Sequence, residues 1–281
     1  METLLQASIA QLGWANVAGS FAVLALAGFM SGLSGFGFSA VGAAVLWFLK
    51  PAQALPLLML LSVVNQLLSL GELRRDLLPR AQWWSHGPAP YILGGVAGAP
   101  IGIAILRNIS AEMLSFAIGL ILVSYALWTL YRPGTWKLQD PHRAWTVLVG
   151  FCGGVIGGFT AFPGCAVVVW ANLRGLAKRE QRAIVQPYIV CMQLLSIAIL
   201  YASKAEDTRA DPFDANFCLL FLLMLPAVLP MTSVGVWAFR RVSDVDFRRV
   251  TLGLLGISGA GLTLKSSIPL ALGLGALLHR F

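Results

Sequence analysis

The sequence predicts an all-α polytopic membrane protein made of two inverted repeats, each a broken or re-entrant Gly-rich helical hairpin followed by transmembrane helices. Three observations carry that prediction. The chain of 281 residues is 58% hydrophobic and 11% charged, with a mean hydropathy of +0.78. At that composition almost every 20-residue window would be buried on all sides, which excludes an ordinary soluble domain. A glycine motif occurs twice, as Gly28-Phe29-Met30-Ser31-Gly32-Leu33-Ser34-Gly35 and as Gly150-Phe151-Cys152-Gly153-Gly154-Val155-Ile156-Gly157, at an offset of 122 residues. Third, Lys and Arg gather in short loops between apolar runs. Despite a net charge of +8, that pattern follows the positive-inside rule and argues against a nucleic-acid partner.

Residues 15–49 form one apolar run that ends at Lys50-Pro51. Gly lowers helix stability by about 1 kcal/mol relative to Ala and lets backbones approach closely, so the run is expected to break near residues 34–37. Its second arm, residues 38–49, would rise about 18 Å as a helix, too little for a hydrocarbon core of about 30 Å. Spans are expected at 54–70, 89–106 and 113–131. The second half begins again with an apolar run at 144–173, broken around 157–164. Its arm from Gly164 would rise only about 15 Å, and Pro163 suits the first turn of a restarted helix. Further spans are expected at 216–239, 247–264, a short one at 267–278, and one at 183–203. The two repeats, residues 1–135 and 136–281, make one integrated membrane domain.

The repeat is broader than its glycines. Trp47 and Trp170 close the two broken runs, followed by the basic residues Lys50 and Arg174. Gln66-Leu67-Leu68-Ser69 recurs as Gln193-Leu194-Leu195-Ser196, and Gly102, Arg107 and Ser110 recur as Gly235, Arg240 and Ser243. Four blocks in one order point to a duplication.

If both broken runs are hairpins that enter and leave on one side, the loops at 72–88, 132–143, 174–182 and 240–249 share a side with the C-terminus and carry fifteen Lys or Arg. The opposite side carries five, Lys50, Arg107, Lys204, Arg209 and Lys265, beside the acidic Glu206, Asp207, Asp211 and Asp214. The basic side is the cytoplasm, which puts the N-terminus outside, the C-terminus inside and three crossings between the hairpins. An odd number inverts the second repeat, the plan of many secondary transporters. The first arm, residues 15–33, is itself long enough to cross, and a full crossing there would change the parity of the first half. No basic n-region precedes the first apolar run, Lys50 being the first basic residue, so no signal peptide is expected.

These residues resemble the TauE/SafE family of sulfite exporters, multi-pass permeases with a duplicated Gly-rich motif. The resemblance rests on Gly28-Phe29-x-x-Gly32-x-x-Gly35-Phe36-Gly37-Phe38, on Gly150 to Phe159 with Pro163-Gly164, and on the Gly98-x-x-x-Gly102 and Gly235 blocks. It spans about residues 20 to 265. It implies movement of small anions, often sulfur-containing ones such as sulfite or organosulfonates, across the plasma (inner) membrane. The second copy departs from the pattern with the bulky Phe159-Thr160-Ala161-Phe162.

An anion at bilayer depth needs hydrogen-bond donors. No Lys or Arg stands near the centre of an expected span. The donors expected there are the free N–H groups where the short helices restart, around Gly35, Phe36, Gly37 and Ser39 and around Gly164. Ser34 and Thr160 add hydroxyls, while Asn65, Gln66 and Gln193 add amides from the adjacent spans. Gly157 and Gly158 give close backbone access, and Phe36 and Phe159 are candidate gates. The same residues have purely structural uses: interhelical hydrogen bonds for the glutamines, bonds to nearby backbone for Ser34 and Thr160, and packing for the two phenylalanines.

The function read from this is a secondary transporter, as an exporter, of small anions by alternating access around a midplane site at broken helix ends. An anion channel is the alternative, and a membrane-embedded enzyme a weaker one. An enzyme would need a nucleophile, metal cluster or paired carboxylates inside the bilayer, whereas the acidic residues fall in loops or at span ends. Cys152, Cys165, Cys191 and Cys218 lack a redox or metal spacing, and His86, His142 and His279 lack a metal-ligand partner. No metal and no cofactor is expected. The partners are a small anion and the lipid bilayer, with homo-oligomerisation, coupling ion and direction left open.

Overall fold

A computed structural model describes residues 13–72, 82–84, 87–131, 143–203 and 213–239, together with 241, 256, 259–261, 263–264 and 267. Most of the expected spans at 247–264 and 267–278, the acidic loop and much of the basic loops lie outside the described residues. In order, the described elements are α1 (Trp14–Ser34), α2 (Gly37–Gly42) with a 3-10 turn (Ala43–Trp47), α3 (Pro51–Glu72), α4 (Ala89–Asn108), α5 (Ala111–Tyr131), α6 (Arg143–Thr160), α7 (Gly164–Leu173), α8 (Lys178–Ser203) and α9 (Ala215–Phe239). Among the described residues there is no strand. Six of the helices, α1, α3, α4, α6, α8 and α9, are long and apolar enough to cross a membrane, and α5 is apolar over Glu112–Trp128.

Both apolar runs break inside the expected windows. α1 stops at Gly35, which takes φ +83° and returns its N–H to Ser31 O at 2.6 Å. Gly enters this left-handed region without the Cβ penalty that other residues carry. α6 stops at Ala161, which takes φ +58° and returns its N–H to Gly157 O at 2.9 Å. Pro163 then caps α7. After each break the chain doubles back along its own first arm. A Cβ at Gly19 would meet the Phe48 ring, and one at Gly42 would approach Ala27 and Leu24. In the second copy, Gly153 and Gly157 face Pro163.

Each first arm is zipped by glycines to a helix from the other half of the chain. Gly28 and Gly32 of α1 meet the backbone of Val228, Thr232 and Gly235 on α9. Gly94, Gly98 and Gly102 of α4 meet the backbone of Val147, Phe151 and Val155 on α6, while Gly150, Gly154 and Gly158 return the contact to Tyr91, Gly95 and Ala99. Without side chains at these positions the helices touch backbone to backbone, the packing that membrane helices use in place of a hydrophobic driving force.

α3 and α8 meet between these seams and run antiparallel: Gln66 pairs with Gln186, while Ser69, further along α3, reaches Gln186 and then Arg182, earlier on α8. α8 begins at Lys178, five residues before the expected span. That extra turn draws Arg182, counted above with the loops, into the helix and out of water at 6% exposure.

The local structure of the two breaks matches at 126 residues, not at the offset of 122 taken from the glycines. Ser34 Oγ donates to Met30 O, and Thr160 Oγ1 donates to Ile156 O. Gly35 and Ala161, at the same separation, carry the positive φ. Because the glycines recur every four residues, sliding the comparison by one helical turn preserves the match, so glycine spacing alone cannot fix the register.

Candidate functional site

At the first break, the donors expected to be free are partly engaged. Ser34 Oγ accepts the N–H of Phe36 at 3.3 Å and of Gly37 at 2.9 Å. The equivalent hydroxyl, Thr160 Oγ1, accepts the N–H of Phe162 at 3.1 Å. These two side chains therefore cap the interruption locally. α2 is only six residues long, so its dipole is short, and the amides and cation that surround the break matter more than its N-terminus.

Gln66 donates from Nε2 to Gly35 O at 3.0 Å, and Gln193 donates from Nε2 to Ala161 O at 2.7 Å. Both glutamines are fully buried. Each therefore grips the carbonyl of the residue that breaks the hairpin of its own half. The facing carbonyl fixes which end of the amide is nitrogen, and each Nε2 carries a second N–H besides the one so used. Gln66 Oε1 accepts from Gln186 Nε2 at 3.0 Å, whereas Gln193 Oε1 has no hydrogen-bond partner. The two breaks thus share a framework and differ in their polar surroundings.

The first break is the richer of the two. Arg182 Nη2 donates to Gly32 O at 2.8 Å and to Ser69 Oγ at 2.9 Å. In an unbroken helix Gly32 O would receive the Phe36 N–H, which here turns to Ser34. The guanidinium lies 4.7 Å from the Phe239 ring centroid, and its aliphatic stem packs where a Cβ on Gly35 would go. A cation at the C-terminal end of α1 is favoured by the helix dipole by about 0.3–1 kcal/mol, up to about 2 when partly buried. Gln186 Nε2 also reaches Ser69 Oγ at 3.0 Å, so α1, α3 and α8 are joined through one buried chain of hydrogen bonds.

Asn65 serves a neighbouring contact. Its Nδ2 donates to Ser31 Oγ at 2.6 Å, and its Oδ1 lies 2.6 Å from Thr232 Oγ1. That triad ties α1 and α3 to α9. Of the other expected residues, Ser39 is buried and Phe36 and Phe159 are half-buried. Gly157 packs on Pro163, Gly158 faces Gly102 of α4, and Gly164 lies under Ile189 and Val185 of α8. Arg182, Gln186, Ser69, Ser31 and Thr232 are additions that sequence reasoning missed. A signal for two of them was present: Arg182, Gln186 and Gln193 share one helical face at the spacing i, i+4, i+11.

Among the described residues no group of three His, Cys, Asp or Glu is placed to hold a metal ion. Six helices long and apolar enough to cross a membrane, two of them interrupted, with a buried polar chain at one interruption, are the features of a multi-pass helical membrane protein. The family model for the sulfite exporter TauE/SafE matches residues 20–262, and the chain belongs to that family. No curated protein and no solved structure matches it.

Proposed function

We propose that this chain is a secondary transporter that exports small anions, sulfite or organosulfonates among them, across the plasma membrane by alternating access around its two helix breaks. The observation that carries the reading is the convergence of one guanidinium and two glutamine amides on the interrupted end of α1. A buried positive charge with amide donors is what an anion needs to leave water. The candidate set is Ser34, Gly35, Phe36, Gly37, Ser39, Asn65 and Gln66 at the first break, with Gly157, Gly158, Phe159, Thr160, Gly164 and Gln193 at the second. Arg182 and Gln186 join it from α8.

The inverted-repeat plan is part of the proposal. α3 and α8 hold equivalent places in the two halves and run antiparallel, and each hairpin's first arm is zipped to the opposite half. Rocking of one half against the other would then move both breaks at once, which is how inverted repeats change the side of access. In this reading the basic loops face the cytoplasm, by the positive-inside rule, and the N-terminus lies outside.

The test is saturable flux of sulfite in proteoliposomes, with thiosulfate, sulfoacetate, taurine and carboxylates as competitors. Gln66→Leu and Gln193→Leu should each remove a hydrogen bond to a charged group worth roughly 1.5–3 kcal/mol, lowering flux per folded molecule about 10- to 150-fold. Thermal stability is recorded in parallel. Wild-type flux from both well-folded variants would remove the glutamines from the site, and unsaturable current-like flux would favour a channel.

A further inference from the structure

The second hairpin ends in a cluster that transport through the helix breaks does not use. Tyr91 on α4 is 1% exposed and Trp170 on α7 is 9% exposed, yet neither the Tyr91 hydroxyl nor the Trp170 indole Nε1 has a hydrogen-bond partner. Arg174, Thr146 and Trp170 all stand around the Tyr91 hydroxyl, but none meets it in hydrogen-bonding geometry. Arg174 is half-buried just past the end of α7, and Thr146 is 9% exposed in the first turn of α6.

The chemistry of the set is weighted towards donors. An indole N–H and a guanidinium can only donate, while the two hydroxyls each donate once and also accept, so donors outnumber acceptors. Leaving buried donors unmade costs more than a hydrogen bond gains, so a ligand rich in acceptors and bearing negative charge completes the cluster. The corresponding Trp and basic residue of the first half, Trp47 and Lys50, are both exposed.

We propose that Tyr91, Thr146, Trp170 and Arg174 form a second oxyanion site at the foot of the α6–α7 hairpin, separate from the helix breaks. It lies on the side that the basic loops assign to the cytoplasm. The oxyanion is a free one, such as the transported ion waiting at the mouth, or the phosphate of a lipid headgroup; the donors fit either.

The test uses the full chain in lipid nanodiscs, labelled with 5-fluorotryptophan and followed by fluorine NMR. The Trp170 resonance is assigned by its loss in Trp170→Phe or, should that variant not fold, by the shift that Tyr91→Phe imposes. Sulfite and, separately, sulfate are titrated in phosphatidylcholine discs; phosphatidylglycerol then replaces part of the lipid without added anion. A saturable shift with the free anions, or one with phosphatidylglycerol alone, supports the site and names its source. Apparent affinity should fall about tenfold or more in Tyr91→Phe and Arg174→Gln, recover in part with Arg174→Lys, and stay unchanged in Gln66→Leu. A resonance that no oxyanion or lipid moves, or that moves equally in Tyr91→Phe and Arg174→Gln, overturns the proposal. Either result leaves the flux experiment on the glutamines independent.

Discussion

Gly35 and Ala161 solve the same backbone problem with different residues, and the difference is measurable. Both sit at positive φ, +83° and +58° respectively. A Cβ on Gly35 would also lie 2.9 Å from Arg182 Cγ. Gly35→Ala should therefore lose about 1–3 kcal/mol from left-handed strain, with the crowding of Arg182 added. Ala161→Gly relieves strain while adding freedom to the unfolded chain, so it should change stability by less than about 1 kcal/mol. Thermal unfolding of the two purified variants checks both; a harmless Gly35→Ala would contradict this account of the break. At this scale the sequence was informative where it repeated itself. Gln66 and Gln193 stood out because a four-residue block recurs around each, and both grip the break carbonyls. Arg182 has no counterpart in the first half and was counted with a loop, since a charge near an apolar boundary reads as solvent-exposed. Only tertiary packing against α1, α3 and Phe239 buries it.

Among the elements, the glycines mark interfaces more than they mark the breaks. Gly98 and Gly102, one helical turn apart on α4, meet the α6 backbone at Phe151 and Val155. The order of the described helices and the positions of both interruptions follow the apolar runs and their stops. The register between the halves did not, because a four-residue glycine period looks alike after a shift of one turn. Partner choice was equally hidden: that α1 pairs with α9, and α4 with α6, depends on which glycine faces align in space. A paired substitution tests the seam. Gly102→Ala drives a Cβ into the Val155 carbonyl, whereas Gly71, near the end of α3, has nothing within 4 Å. Gly102→Ala should cost about 1–3 kcal/mol by overpacking, and Gly71→Ala should stabilise by about 0.5–1 kcal/mol through helix propensity. Equal effects on unfolding in detergent would deny the seam its role.

For the whole molecule, the arrangement explains how residues from one half come to serve the break of the other. Because α3 and α8 run antiparallel, Gln186 and Arg182 of the second half arrive at Gln66, Ser69 and Gly32 of the first. The proposed transport cycle depends on the two hairpins entering the membrane from opposite faces. Hydropathy and loop charge supplied that expectation, and the side each hairpin enters from is the claim on which the rest stands. Single cysteines at Trp14 and Ala144, at the starts of α1 and α6 and both exposed, address it in a chain whose four native cysteines are replaced. A membrane-impermeant maleimide is applied to intact right-side-out vesicles and then to permeabilised ones. The account predicts that Trp14→Cys labels from outside and Ala144→Cys only after permeabilisation. Labelling of both from the same side would contradict the inverted pair of hairpins and the alternating-access mechanism built on it.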